Sequence, residues 1–398
     1  MKVASRVLAT MLCPSDFTVC LSVEGTVYSF GGQRAGELGF EGTKVFPPKR
    51  IPSLTNITCI SCGFENTTCL DDAGNVFTLG GNKYGQLGVG KNSEELAFTS
   101  TPLKLELPSI KQISSGYRFV ICLSYEGVLY SFGHNMYGQL GNSGYENSVY
   151  PTTIDTMRGK DIDFVECGGV FVICKLLNNE IYAWGDNSEG TLGIGRKISS
   201  ISTPEKCEDW PDDVVDIKCS SHTLVLTSVG EVYSCGGNEH GELGRDLSPE
   251  EEFSRDNDND YYDPGLPYSG KLQIIESLSE IIRIECGHEC SLCIDVNNNL
   301  YAFGNNNCGQ LGFGDYENRA TPEKNPDLSD IIDISSLGDY TFAKTSSNMI
   351  FAFGKNDDSQ LGIKTENKNQ LYPIQVLQDN EEIWHSNVYR SKAKSARF

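Results

Sequence analysis

No apolar run in this 398-residue chain approaches the ~20 residues that a membrane-spanning helix needs, so it contains no helical span. Positive charge is also scarce. Lysine and arginine number 32 against 54 aspartates and glutamates, and the net charge of −22 repels nucleic-acid backbones and anionic lipid. Such a balance suits a basic protein partner. Histidine is rarer still: His134, His222, His240, His288 and His385 share no common register. The pair His288-Glu289 lacks a nucleophile at a recognisable spacing, and no glycine-rich loop cradles a phosphate. Bond-making catalysis, a cofactor and a metal are therefore not expected. Sustained helical periodicity is absent too, which excludes a helical fold.

Glycine, by contrast, is abundant at 41 residues, and it is ordered. One phrase recurs, seen in Tyr130-Ser131-Phe132-Gly133 followed by Gly138-Gln139-Leu140-Gly141. Its leucines stand at 38, 87, 140, 192, 243, 311 and 361, giving spacings of 49, 53, 52, 51, 68 and 50 residues. That period matches propeller blades and exceeds most solenoid repeats.

Each copy holds four short strand-like runs bounded by Gly, Asn and Asp. The turn before the third run has Gly at 25, 74, 127 and 230 and Asn at 179, 298 and 348. These are the residues that tolerate positive φ, so one backbone shape is predicted seven times. The pattern predicts an all-β chain, a seven-bladed β-propeller of four-stranded antiparallel blades, closed into a ring because neither end shows a polar capping repeat. At the N-terminus Leu8, Met11 and Cys13 fall into phase with Ile57, Ile60 and Cys62, so the segment reads as a strand and not a cleaved signal.

The 15 cysteines obey the same register. Cys13, Cys62, Cys167, Cys219 and Cys286 share one repeat position, and Cys20, Cys69, Cys122, Cys174 and Cys293 share another. They read as small core residues in a reducing compartment. Cys286, Cys290 and Cys293 end in Cys-x-x-Cys, but no second pair completes a zinc set.

The sequence Cys/Ser-Gly-x-x-x-Thr/Ser, then Gly-x-Val-Tyr-x-Phe/Trp-Gly, then Asn-x-x-Gly-Gln-Leu-Gly resembles the repeat of the RCC1 (regulator of chromosome condensation) family over residues 7–376. Residues 1–385 form one RCC1-like propeller on this reading, with repeats at 7–50, 55–105, 108–155, 160–206, 214–276, 281–325 and 331–376 and a short basic tail at 386–398. Kelch propellers share the glycine doublets at 31–32, 80–81 and 236–237, but three tryptophans cannot supply the kelch pattern. The resemblance implies a seven-bladed fold and leaves the function open. Many members are interaction modules in signalling, cilia and ubiquitin ligation. The founding member drives nucleotide exchange on the small GTPase Ran through acidic and histidine side chains on its loops, with a β-wedge in one blade. One plant photoreceptor of the family uses tryptophan clusters, for which Trp184, Trp210 and Trp384 are too few.

Loops between strands one and two and between three and four share one face. In the first set Asp16, Glu65, Glu289 and Asp339 occupy one position, Arg118 fills it in repeat three, and repeat five is shortened to Ser220-Ser221-His222. With Phe17, Tyr117, His288 and Tyr340 beside them they form the expected partner-binding face, inward packing being the alternative for the aromatics. The long spacing marks an insertion at 245–271 on the same face, carrying Glu250, Glu251, Glu252, Asp256, Asp258 and Asp260. Tyr261 and Pro267 replace the glycine and glutamate that a calcium loop needs, which leaves a solvated or partner-binding loop. Arg390, Lys392, Lys394 and Arg397 give the tail at most a weak nucleic-acid contact. The expectation is a monomeric interaction module for another protein, a small GTPase foremost, in the cytoplasm or alternatively the nucleus. A guanine-nucleotide exchange factor is the alternative function, and a chromatin-associated regulator a more distant one.

Overall fold

The apolar runs become strands because each is flanked by residues that turn the chain. The structure, a computed structural model, describes residues 17–247, 267–336, 338–363, 365 and 367–376. They form 27 strands and one short 3-10 turn, Asp155–Met157. The strands pair as up-and-down antiparallel meanders in seven sheets. Six sheets have four strands, and the first has three described strands, Phe17–Leu21, Val27–Gly32 and Lys44–Arg50. The strand expected around Leu8 to Cys13 lies outside the described residues. The result is the seven-bladed propeller that the repeat predicts. No helix among the described residues is long and apolar enough to cross a membrane.

Within a blade, burial follows strand order. First strands pack against first strands of neighbouring blades and surround the central channel. Second strands, such as Phe119–Ser124, are buried throughout, whereas the fourth strand Phe98–Lys104 has no buried residue. The turn before each third strand has φ between 62° and 83° in all seven copies, at the four glycines and three asparagines predicted for it.

The repeated phrase turns out to be the seam between blades. The side-chain oxygen of Asn135 accepts a hydrogen bond from Leu140 N (2.9 Å), and Asn82, Asn187, Asn238, Asn306 and Asn356 hold their own leucines likewise. The loop so shaped presents a bare glycine to the next blade. A Cβ on Gly88 would lie 2.8 Å from the Phe132 ring, one on Gly141 2.8 Å from Trp184 Nε1, and one on Gly312 2.9 Å from Phe353. The aromatic of one copy thus rests on the last glycine of the copy before it. A hydroxyl latch accompanies it: Thr67, Thr223, Ser291 and Thr341 donate to backbone carbonyls of residues 37, 191, 242 and 310 in the preceding blade. Thr18 donates to Gln360 O (2.7 Å) and Tyr340 Oη to Phe17 O (2.5 Å), so the ring closes between blades seven and one.

The described cysteines are all free thiols. Burial pushes the thiols of Cys62 and Cys290 up to about 12, so they pack as protonated apolar groups.

Candidate binding face

Short loops on the expected face are tied to one another around the ring. Phe64 N donates to Tyr117 O (2.6 Å), Tyr117 N to Gly169 O (2.8 Å) and Gly169 N to Ser220 O (3.0 Å). Glycine is required here: a Cβ on Gly63 would lie 2.5 Å from Gly116 O. The side chains that follow are therefore held on a fixed rim.

Blades four to seven carry the acidic part of this rim. Glu189, Ser221, Glu239, Glu242, Tyr268 and Glu289 border one open cleft. Glu242 sits at the glutamine position of the phrase, almost fully buried, and accepts from His240 N (2.9 Å). Burial pushes its carboxyl up to about 7, helped by the charges of Glu289 and Glu189. Beside the cleft, His240 Nε2 lies 3.2 Å from Glu289 Oε2, which also accepts from Asn305 (2.9 Å). His288 Nδ1 bridges onward, 3.9 Å from Glu289 and 3.7 Å from Asp339. Burial opposes charge on both His288 and Asp339. Their interaction outweighs it, holding His288 above the ordinary imidazole value and Asp339 below the usual carboxylate range. Glu289 adopts φ of 56°, an uncommon backbone for glutamate. Glu239, His240 and Glu289 bring one ligand atom each within 4.8 Å, the sole such group among the described residues. Three donors are fewer than structural zinc or calcium takes.

Several expected face residues are not on the surface. Phe17, Tyr340 and His222 are almost fully buried. Phe17 and Tyr340 join blade one to blade seven, and His222 Nε2 bonds Ser291 Oγ at 2.7 Å in the seam between blades five and six. Each opens a second strand, and both faces of a second strand are covered, by its own blade and its neighbours. Burial lowers the His222 imidazole to about 3, so it is neutral. Glu65, Tyr117, Arg118, His288, Glu289 and Asp339 keep partial exposure on the rim. The acidic arc accordingly runs through blades four to seven, with Glu65 set apart beside Arg118. Asp16 and the insertion residues Glu250, Glu251, Glu252, Asp256, Asp258 and Asp260 lie outside the described residues, as does the tail. Residues Tyr268–Lys271 of the expected insertion belong to the outer strand Tyr268–Ile274 of blade five.

Seven like blades under one polar loop ring define a repeat-built β-propeller. The model of the Regulator of chromosome condensation (RCC1) repeat matches residues 73–123, 126–174, 178–226, 229–294 and 297–343, more than half of the chain. The chain belongs to this family. Each match begins near the third strand of one blade and ends on the second strand of the next, so the family's repeat spans the seam.

Among curated relatives, serine/threonine-protein kinase Nek9 of Xenopus laevis is 32% identical over 219 residues, 54% of this chain and 23% of the kinase. The ultraviolet-B receptor UVR8 of Arabidopsis thaliana is 28% identical over 394 residues, covering 96% of this chain and 86% of the receptor. Human E3 ubiquitin-protein ligase HERC2 is 28% identical over 319 residues, 78% of this chain and 6% of the ligase. The chain thus spans under a quarter of the kinase and a small fraction of the ligase. Solved folds agree. Prp20p of Saccharomyces cerevisiae, described with its binding to Gsp1p and histones, superposes with a TM-score of 0.74 at 19% identity, over 91% of this chain and 88% of that one. Human WBSCR16 gives 0.73 at 20% identity, over 89% and 94%.

Proposed function

We propose that this propeller is a non-catalytic protein-interaction module that receives a basic partner surface in the acidic cleft of blades four to six. The cleft itself carries the reading: Glu189, Glu239, Glu242 and Glu289 converge on one opening, where burial first, and then the charges of Glu289 and Glu189, raise the Glu242 carboxyl. A partner lysine or arginine would relieve that repulsion and steer association, with the salt dependence such steering has. The same reading takes the setting as a reducing compartment, the cytoplasm or alternatively the nucleus.

Guanine-nucleotide exchange on a small GTPase is the second reading. It is supported by the fold shared with Prp20p and by the His288-Glu289-Asp339 chain on the loops. Exchange breaks no bond in the protein; it requires tighter binding of the nucleotide-free GTPase than of the loaded one.

Pull-down with nucleotide-free GTPases, followed by fluorescent GDP release, separates the two readings. Release unchanged at saturating propeller eliminates exchange. Glu289→Lys combined with Asp339→Lys is expected to weaken any recovered partner by about tenfold or more, since close charge pairs at interfaces couple by ~1.5–7 kcal/mol. Unaltered affinity would move the site off this cleft.

A further inference from the structure

Across the ring from the acidic cleft, the loops of blades one to three gather the opposite charge. The Arg118 guanidinium lies over the Phe64 ring, 4.6 Å from its centroid, and over the Tyr84 ring at 5.1 Å. Arg34 reaches the same Phe64 ring at 5.9 Å, and Lys83 reaches Tyr84 at 5.3 Å. His134 braces Tyr84 edge-on at 4.8 Å, with its own Nδ1 2.8 Å from Gln139 Nε2. Burial, then the Arg118 charge, hold His134 below the ordinary imidazole value, so it stays neutral.

None of Arg34, Lys83 and Arg118 forms an ion pair among the described residues, and Arg118 Nε is shut off from solvent with no hydrogen-bond partner. In a chain of net charge −22, three cations converging on two rings without a carboxylate partner is an arrangement that solubility does not call for. The two ring contacts restrain the guanidinium, which lowers the entropy cost of ordering a long side chain, and Arg118 keeps partial exposure. A guanidinium matches an oxyanion through two parallel hydrogen bonds.

We propose that this patch is a phosphate site, taking the phosphoryl group of a phosphorylated side chain on a partner protein. Charge decides the class. A phosphomonoester carries about −1.5 to −2 at neutral pH, which three cations offset around Glu65 and the buried Glu37, whose carboxyl is held by the backbone of Arg34 and Ala35. A carboxylate-rich segment would instead spread its charge towards Glu65 and the acidic cleft. The site lies apart from that cleft, so its failure leaves the interaction reading untouched.

The test uses the whole propeller and fluorescently labelled glycine-serine peptides bearing one phosphoserine, one phosphotyrosine, one glutamate or an unmodified serine, followed by anisotropy at low salt. Either phosphopeptide is expected to bind, to be displaced by inorganic phosphate, and to lose about tenfold or more in affinity with Arg118→Gln. The exposed Lys83→Gln, which touches no core, should weaken binding in the same direction, and Glu65→Gln should strengthen it. Equal binding of the phosphorylated and serine peptides, or an unchanged affinity in both cation variants, overturns the site. Glutamate binding as tight as phosphate overturns the phosphoryl assignment. Glu289→Lys, on the far side, should leave the phosphopeptide affinity within about twofold.

Discussion

Replacing Trp184 with alanine is expected to cost about 3–5 kcal/mol, a large share of the ~5–15 kcal/mol that holds a typical domain folded. Trp184 is fully buried within the core that blade three shares with blade four. It replaces two parts of the repeated seam. Its ring rests on Gly141, as Phe132 rests on Gly88, and its Nε1 donates to Gln139 O at 3.0 Å. The latch that comes from a Thr or Ser in five blades is missing here, because Val172 stands at that position, as Val120 does in blade three. Deleting the ring therefore opens a cavity and strands a buried carbonyl together. Trp184→Phe separates the two effects. Phenylalanine occupies the same position in blades one, three, six and seven, so packing should largely survive and the loss should fall to about 1–2 kcal/mol. Guanidinium unfolding of both variants, with unchanged m-values, measures the difference. Equal losses would show that the hydrogen bond, not the packing, fastens this seam.

The blade was legible down to single backbone angles because positive φ admits few residues. Gly25 and Asn179 share nothing else, yet both mark the same turn. The seam was less legible. Its glycines can be counted in the sequence, but the need for them comes from an aromatic in the next blade, 44 residues on for Gly88 and Phe132 and 41 for Gly312 and Phe353. The face was read only in part. Glu289 and Asp339 stand out as acidic variants at one loop position, and the structure joins them through His288. Phe17, His222 and Tyr340 have equally good loop positions, but each begins a second strand that is buried on both faces. His240 is visible among the five histidines but is not assigned to the face, because it lies inside the repeated phrase, where repetition hides variation. The aromatic sandwich on Arg118 needs Phe64 and Tyr84 from another blade, and no spacing within one repeat announces that.

The channel charges were hidden for the same reason, and they carry the other large expected effect. On the first strands Val214–Cys219 and Ile281–Cys286, Asp216 and Lys218 alternate with isoleucine and valine, as do Arg283 and Glu285. Asp216 and Lys218 meet along one strand, and the contacts to Glu166 and Asp333 come only from neighbouring blades. Lys218 Nζ lies 3.9 Å from Asp216 and 4.0 Å from Glu166, and Arg283 pairs with Asp333. Asp216 above all holds Lys218 above the ordinary lysine value, against its burial. Burial pushes Glu166 up to about 7 and Glu285 up to about 8, although Lys218 pulls both down. Lys218→Met should accordingly cost about 1–3 kcal/mol near pH 8, because it leaves neighbouring half-buried carboxylates without their cation while solvent screens part of the loss. The loss should shrink towards pH 5, where Glu166 and Glu285 are already protonated in the folded chain. The direction follows from linkage. Above a carboxylate's unfolded value of 4.5 the unfolded chain has released these protons while the folded chain keeps them, so stability falls as pH rises to about 8. Glu242, also pushed up to about 7, contributes with the same sign, so the wild-type slope alone does not isolate the channel. The difference between wild type and Lys218→Met does, since Glu242 is common to both. Thermal unfolding from pH 5 to 8 reads that difference, and a gap that stayed constant with pH would mean that Lys218 acts through packing or its Asp216 pair and not through Glu166 and Glu285.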